Sequence, residues 1–80
     1  MEKRKAQGSK GPFDLLRRSM AWHGYTAKDM ARELGMSAAS ISYRLNNRAA
    51  WTLPEMYFVL DRLGEPHDQL HLYFPPNGGA

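Results

Sequence analysis

Apolar residues recur along this chain at spacings of three and four positions, separated by glycines and prolines, which is typical of short amphipathic helices. Four such segments follow one another between residues 13 and 63, and a shorter one ends at Tyr73. No strand is required anywhere. The pattern predicts an all-α fold, a compact five-helix domain over residues 13–74, between an N-terminal arm at 1–12 and a disordered C-terminal tail at 75–80.

The second and third segments have clear start and stop residues. Thr26 is followed three positions later by Asp29, which is the spacing of a capping box that satisfies two otherwise free backbone N–H groups. Gly35 suits the left-handed conformation found after many helix ends, and Ser37 is the next N-cap. These residues predict two short helices joined by a tight turn at Gly35, Met36 and Ser37, the arrangement of a helix-turn-helix DNA reader.

The helix that follows Ser37 has one apolar side and one small, polar side. Ile41 and Leu45 lie four residues apart and anchor it to the core. Short side chains at the leading end and longer polar ones further along suit entry into the major groove. The exposed face of an ordinary helical bundle would more typically carry Glu and Lys pairs. The outward residues are Ala38, Ala39, Ser40, Ser42, Tyr43, Asn46 and Asn47.

The helices on either side complete the predicted domain. The first runs from Phe13 to about His23, and the fourth begins with a Thr52–Glu55 capping box and ends before Gly64. A short fifth helix precedes the proline and glycine run from residue 75.

Charge is distributed unevenly along the chain. The net charge is +3, with four Lys or Arg against one Glu in residues 1–12 and six against three acidic residues in 13–50. From Trp51 onward, only Arg62 opposes four acidic residues. The basic half should therefore face phosphate. Lys3, Arg4 and Lys5 are candidate DNA contacts of a flexible basic arm, although a solubilising tail would look the same.

Composition argues against several functions. There is no cysteine, and no apolar run approaches a membrane span, so we expect a cytoplasmic protein. His67 and His71 are four residues apart, but a third ligand is missing, and we expect no metal and no cofactor. No serine stands with a partnered base. We therefore expect neither enzymatic activity nor a small-molecule substrate.

From Phe13 to Phe74 the chain resembles small Cro and phage-repressor-type (XRE-like) helix-turn-helix proteins. The resemblance is carried by Thr26–Ser37, Ile41–Asn46, Trp51–Met56 and Leu63–Leu70. It implies a lambda-repressor-like five-helix domain with the helix-turn-helix at helices 2 and 3, binding double-stranded operator DNA as a homodimer. The helix from Ala38 to Asn46 would then enter the major groove.

The resemblance also assigns base reading to the first, second and sixth positions of that helix. These are Ala38, Ala39 and Tyr43, with Ser42 nearby. Many relatives carry glutamine at the positions of Ala27 and Ala38, and alanine cannot replace its amide. We therefore expect few hydrogen bonds from this helix to the bases and modest specificity from each half-site.

Phosphate contacts are expected from cations and polar side chains on or flanking the same helix. The set is Lys28, Ser40, Arg44, Asn46 and Arg48, with Arg44 favoured because it lies beside the groove-facing side. Arg17 and Arg18 are more simply solvated charges. A dimer interface is expected at Leu72, Tyr73 and Phe74, although packing of this segment onto its own core is nearly as plausible.

These observations predict a sequence-specific transcriptional regulator of phage or prophage type, a Cro-like protein or minimal immunity repressor that occludes a promoter. In a bacterial host it would be associated with the nucleoid. Two alternatives remain: an antitoxin-like or accessory protein-interaction module using the acidic half, and a non-specific architectural DNA binder that depends on the basic arm.

Overall fold

A computed structural model describes residues 11–79, and within them the chain forms five α-helices and no strand. The predicted all-α class is confirmed. A 3-10 turn at His67–Gln69 leads into the last helix, and a second one spans Pro76–Gly79. The helices are α1 (Asp14–Trp22), α2 (Ala27–Leu34), α3 (Ala38–Leu45), α4 (Leu53–Leu63) and α5 (Leu70–Tyr73).

Local capping explains where three of these helices begin. The Thr26 hydroxyl accepts a hydrogen bond from the Asp29 N–H at 3.0 Å, and the Asp29 carboxylate accepts one from the Thr26 N–H at 3.1 Å. Thr52 and Glu55 form the same reciprocal pair at the start of α4. Both predicted capping boxes are therefore confirmed. Ser37 caps α3 with its side chain, also as predicted.

The chain reverses after α2 and α4 through left-handed glycines, Gly35 at φ 71° and Gly64 at φ 75°. Asn47, which ends the α3 segment, has φ 61°. Asparagine tolerates this region better than most other residues with a side chain, so the chain can turn here without a glycine.

The core lies where α1 to α4 converge, and each helix contributes at least one fully buried residue. The apolar positions at helical spacing therefore form one packed interior, as the pattern predicts. Its largest fully buried side chains are Leu16, Met30, Ile41, Val59 and Leu60.

Three aromatic rings close the core near the two ends of the described chain. The Trp51 and Phe74 ring centroids are 5.0 Å apart, and the Phe13 ring lies 6.2 Å from each. Tyr73 and Phe74 are 7% and 6% exposed. Both residues pack on their own chain, which is the alternative that the sequence left open, and of the three residues expected at a dimer interface only Leu72 is exposed.

The segment after α5 also differs from the expected disordered tail. The Phe13 N–H donates to the Gly78 carbonyl at 2.9 Å, and Gly78 is buried. A Cβ at Gly78 would lie 2.9 Å from the Pro12 Cβ and 3.3 Å from the Phe13 ring. The 3-10 turn at Pro76–Gly79 is thus held against the start of α1. This contact joins positions far apart in the sequence, so the local run of prolines and glycines does not predict it.

Trp22 in α1 is 86% exposed. It is the last residue of that helix. None of the helices within residues 11–79 has the length and apolar character needed to span a membrane.

Candidate nucleic-acid interface

α2 and α3 are joined by a short turn that holds α3 at the surface. The Met36 N–H donates to the Ala31 carbonyl at 2.8 Å, and the Ser37 hydroxyl accepts from the Ser40 N–H at 3.1 Å. Ile41 is fully buried and Leu45 is 6% exposed. Two apolar anchors and one cap therefore fix this helix and leave one side of it exposed to solvent.

The exposed face of α3 consists of small and polar residues. Ala38, Ala39 and Ser42 are exposed, and Tyr43 is 54% exposed. α3 contains no acidic residue. The four residues expected to read bases therefore lie at the surface of one short helix that carries no negative side chain.

Two of the expected phosphate contacts are occupied within the protein. Ser40 is half-buried, and the Ser37 hydroxyl donates to its hydroxyl at 3.0 Å. The Asn46 amide nitrogen donates to the Ser42 carbonyl at 2.9 Å, while its amide oxygen accepts from Arg17 at 3.0 Å. These polar groups stabilise the two ends of α3, so they are less available to DNA than expected.

Arg44 is also engaged. Its Nε lies 3.2 Å from Glu55 Oε1, and its Nη1 donates to the Ser40 carbonyl at 3.2 Å. Both side chains of the ion pair are largely buried, at 19% and 13% exposed. The same Glu55 oxygen accepts from the Thr52 N–H. Arg44, the favoured phosphate contact, therefore serves first to fasten α3 to the start of α4.

Lys28 and Arg48, the other two candidate cations, are better placed to contact a DNA phosphate. Lys28 and Arg48 are exposed, and neither takes part in an ion pair formed within residues 11–79. By contrast, Arg18 pairs with Asp14 at 2.9 Å and Arg32 with Asp29 at 3.1 Å. Among the residues that the structure describes, Lys28 and Arg48 are therefore the predicted phosphate contacts whose charge is not offset by a carboxylate. Lys3, Arg4 and Lys5 of the expected arm lie outside the described residues.

Arg17 has a role that the sequence does not show. Its Nε donates to the Pro12 carbonyl at 2.9 Å, and its Nη2 donates to the Leu45 carbonyl at 2.8 Å as well as to Asn46. α1 thus supplies a cation to the C-terminal end of α3, where a positive charge is favoured by the helix dipole. Two of the three acceptors are backbone carbonyls, which have no counterpart in a residue pattern.

A cleft of about 500 Å³ lies beside the end of α3. Ser42, Tyr43 and Asn46 line it from the helix, Arg48 from the following loop, and Pro12 from the chain before α1. Hydroxyl, amide and guanidinium groups are the ones that contact DNA phosphates in proteins. The cleft is therefore continuous with the exposed face of α3 and has suitable chemistry for a DNA backbone.

A second polar cluster supports the other side of the α2–α3 pair. The Tyr25 hydroxyl donates to Glu33 at 2.9 Å, and the Arg62 guanidinium lies 4.4 Å from the Tyr25 ring centroid. Burial, followed by the bond to Glu33, raises the pKa of Tyr25. The backbone and side-chain bonds of Thr26, together with Arg32, lower the pKa of Asp29. These groups fix α2 rather than face the cleft.

No family model, curated protein or solved structure matches the chain. Residues 11–79 contain no cluster of three or more His, Asp or Glu side chains that could hold a metal ion. The Asp61 carboxylate instead accepts a hydrogen bond from His67 Nε2 at 2.7 Å, and the His67 ring stacks on Tyr57. The proposed function therefore rests on the geometry of α3 and of the residues around it.

Proposed function

We propose that this protein is a sequence-specific DNA-binding regulator of transcription, a Cro-like protein or minimal immunity repressor of phage or prophage type. α2 and α3 act as a helix-turn-helix, and α3 enters the major groove of an operator. The observation that carries this proposal is the exposed, acid-free face of α3 with Ala38, Ala39, Ser42 and Tyr43 on it.

This face fits the roughly 12 Å wide major groove because its leading residues are small. Ala38 and Ala39 allow close approach and apolar contact with thymine methyl groups, while the Ser42 and Tyr43 hydroxyls supply hydrogen bonds. Lys28 and Arg48 contribute attraction to phosphate without sequence preference. Specificity per half-site is modest, and DNA shape contributes part of it.

Two copies on one operator would double these contacts. Half-sites one helical turn apart place two α3 helices about 34 Å from each other on the same side of the duplex. Repression is then steric, since the bound dimer covers promoter DNA. Of the residues expected at the interface, Leu72 is the one whose side chain is exposed enough to meet a second copy.

The test is selection of bound duplexes from a random pool, followed by titration of the selected duplex and a scrambled control at several salt concentrations. We expect a palindromic consensus with at least about a thousandfold preference over the control. The logarithm of affinity should fall with the logarithm of salt as several phosphate contacts require. Equal binding to every duplex would instead indicate an architectural DNA binder.

A protein-interaction module is the second candidate, and one observation favours it. The half of the chain that contains α4 and α5 is acidic and exposes four large apolar side chains. A partner protein could cover them. This function predicts that Tyr43→Ala leaves activity intact, whereas the DNA-binding function predicts the opposite. The exposed apolar residues are Leu53, Tyr57, Phe58 and Leu72.

A further inference from the structure

The cleft beside α3 has two walls that come from distant parts of the chain. One wall is Pro12, which precedes α1, and the other is the end of α3 with Arg48 beyond it. Their separation in sequence means that some long-range contact has to hold them together.

Arg17 makes that contact. Its Nε donates a hydrogen bond to the Pro12 carbonyl. Its Nη2 donates to the Leu45 carbonyl and to the Asn46 amide oxygen. The guanidinium is planar, so three bonds made by one group fix the direction of both walls at once. The Arg48 N–H donates to the Tyr43 carbonyl at 2.7 Å, so the position of Arg48 follows the end of α3.

We propose that Arg17 is a positioning residue for DNA binding: it joins Pro12 to the end of α3 and so forms the cleft in which Arg48 receives one backbone phosphate. This inference rests on the proposed function and assigns a specific contact within it. Arg17 is assigned a positioning role rather than a DNA contact, because its Nε and Nη2 donors are directed to Pro12, Leu45 and Asn46.

The test uses the full chain and the selected duplex, in which single backbone phosphates are replaced in turn by uncharged methylphosphonates. In the wild type, replacing each contacted phosphate should weaken binding, and at the one position per half-site that faces Arg48 the loss should be about 5- to 10-fold, as expected for one lost phosphate contact. Arg48→Gln should abolish that penalty. It should also weaken binding to selected and scrambled duplexes alike and reduce the salt slope by about one for each bound copy, or about two for the dimer.

Arg17→Met and Arg17→Lys distinguish the effect of the directed hydrogen bonds of Arg17 from the effect of its positive charge. If Arg17 positions the cleft, both variants lose the methylphosphonate penalty, and adding Arg48→Gln to either weakens binding no further. Lysine keeps the charge but cannot direct bonds to the three acceptors as a planar fork does. Arg18→Met is the matched control, because Arg18 is on the same helix, is exposed and pairs only with Asp14 among the residues described.

Binding is measured at a temperature where circular dichroism shows each variant folded, and Arg17→Lys carries the test if Arg17→Met does not fold. The inference is overturned if Arg17→Lys binds as the wild type does, or if the methylphosphonate penalty persists in the Arg17 variants. Absence of wild-type binding to any duplex would instead overturn the proposed function. The two failures are therefore distinguishable.

Discussion

α3 and α4 start in the same way but present different surfaces. Each follows a hydroxyl N-cap, Ser37 or Thr52, whose side chain accepts from the N–H three residues later. In α4 that third residue is Glu55, which completes a capping box, whereas in α3 it is Ser40. α2 also has a carboxylate there. Of the three hydroxyl-capped helices, only α3 begins without a negative charge.

This difference separates what a helix needs for stability from what a surface needs for binding. A carboxylate in the first turn stabilises a helix by about 0.3–1 kcal/mol through its dipole and the capping bond. α3 lacks this contribution and is held instead by Ile41, Leu45 and the Arg44–Glu55 pair. An anion at its start would repel a phosphate backbone, so its absence suits the proposed DNA-binding face.

The largest expected effect comes from the core anchors of the two helices. Ile41 and Leu60 are both fully buried. Changing either to alanine should lower the free energy of unfolding by about 2–5 kcal/mol, since a cavity is left behind. Urea denaturation measures this. Leu53→Ala is the control, because Leu53 is 53% exposed. An Ile41→Ala effect as small as that of the control would mean that α3 is not anchored as described.

The link between α3 and α4 should give the next largest effect. Glu55→Ala removes the Arg44 partner and the carboxylate of the capping box, and we expect a loss of about 1–3 kcal/mol, measured by thermal melting. Glu55→Gln retains an oxygen for the Thr52 N–H and should lose less. Equal losses in the two variants would assign the whole effect to the charge of the pair.

Giving α3 the missing carboxylate tests the comparison directly. Ser40→Glu should raise the free energy of unfolding by up to about 1 kcal/mol by completing the box with Ser37. It should also weaken binding to both selected and scrambled DNA. Ser40→Gln is the control for size and hydrogen bonding without charge. A gain of stability with unchanged DNA affinity would show that the start of α3 does not approach phosphate.

The smallest expected effect is a loss of folding stability at acidic pH. The folded pKa of Asp29 is lowered from 3.8, so its contribution to stability is present above that pH and is lost as the pH falls through the folded pKa. Thermal melts at pH 2.5, 4 and 7 should show a smaller decline below pH 4 for Asp29→Asn than for the wild type. Identical declines in the two proteins would mean that the loss of stability in acid does not come from the α2 capping box.

The sequence predicted those features whose causes are local. The caps at Thr26, Ser37 and Thr52 and the turn at Gly35 depend on residues within a few positions of one another, and all four are confirmed. The exposed side of α3 follows from helical spacing and the two apolar anchors. Whether that side binds DNA stays a prediction.

The features that the sequence missed depend on distant contacts. Arg17 bonds carbonyl groups 5 and 28 residues away, and Arg44 pairs with Glu55 11 residues away, so neither partner follows from a repeat or a motif. Phe74 was open to two interpretations for the same reason. Its burial depends on Phe13 and Trp51, which local spacing does not bring together.

The bond between the Phe13 N–H and the Gly78 carbonyl has a consequence for how this fold could be rewired. The start of α1 and the turn after α5 touch, so a short peptide could connect them. New ends could then be opened at the exposed Gly64, between α4 and the 3-10 turn before α5. Such a circular permutant would keep every helix and every contact of the cleft. We therefore expect the arrangement of the helices not to depend on their order along the chain.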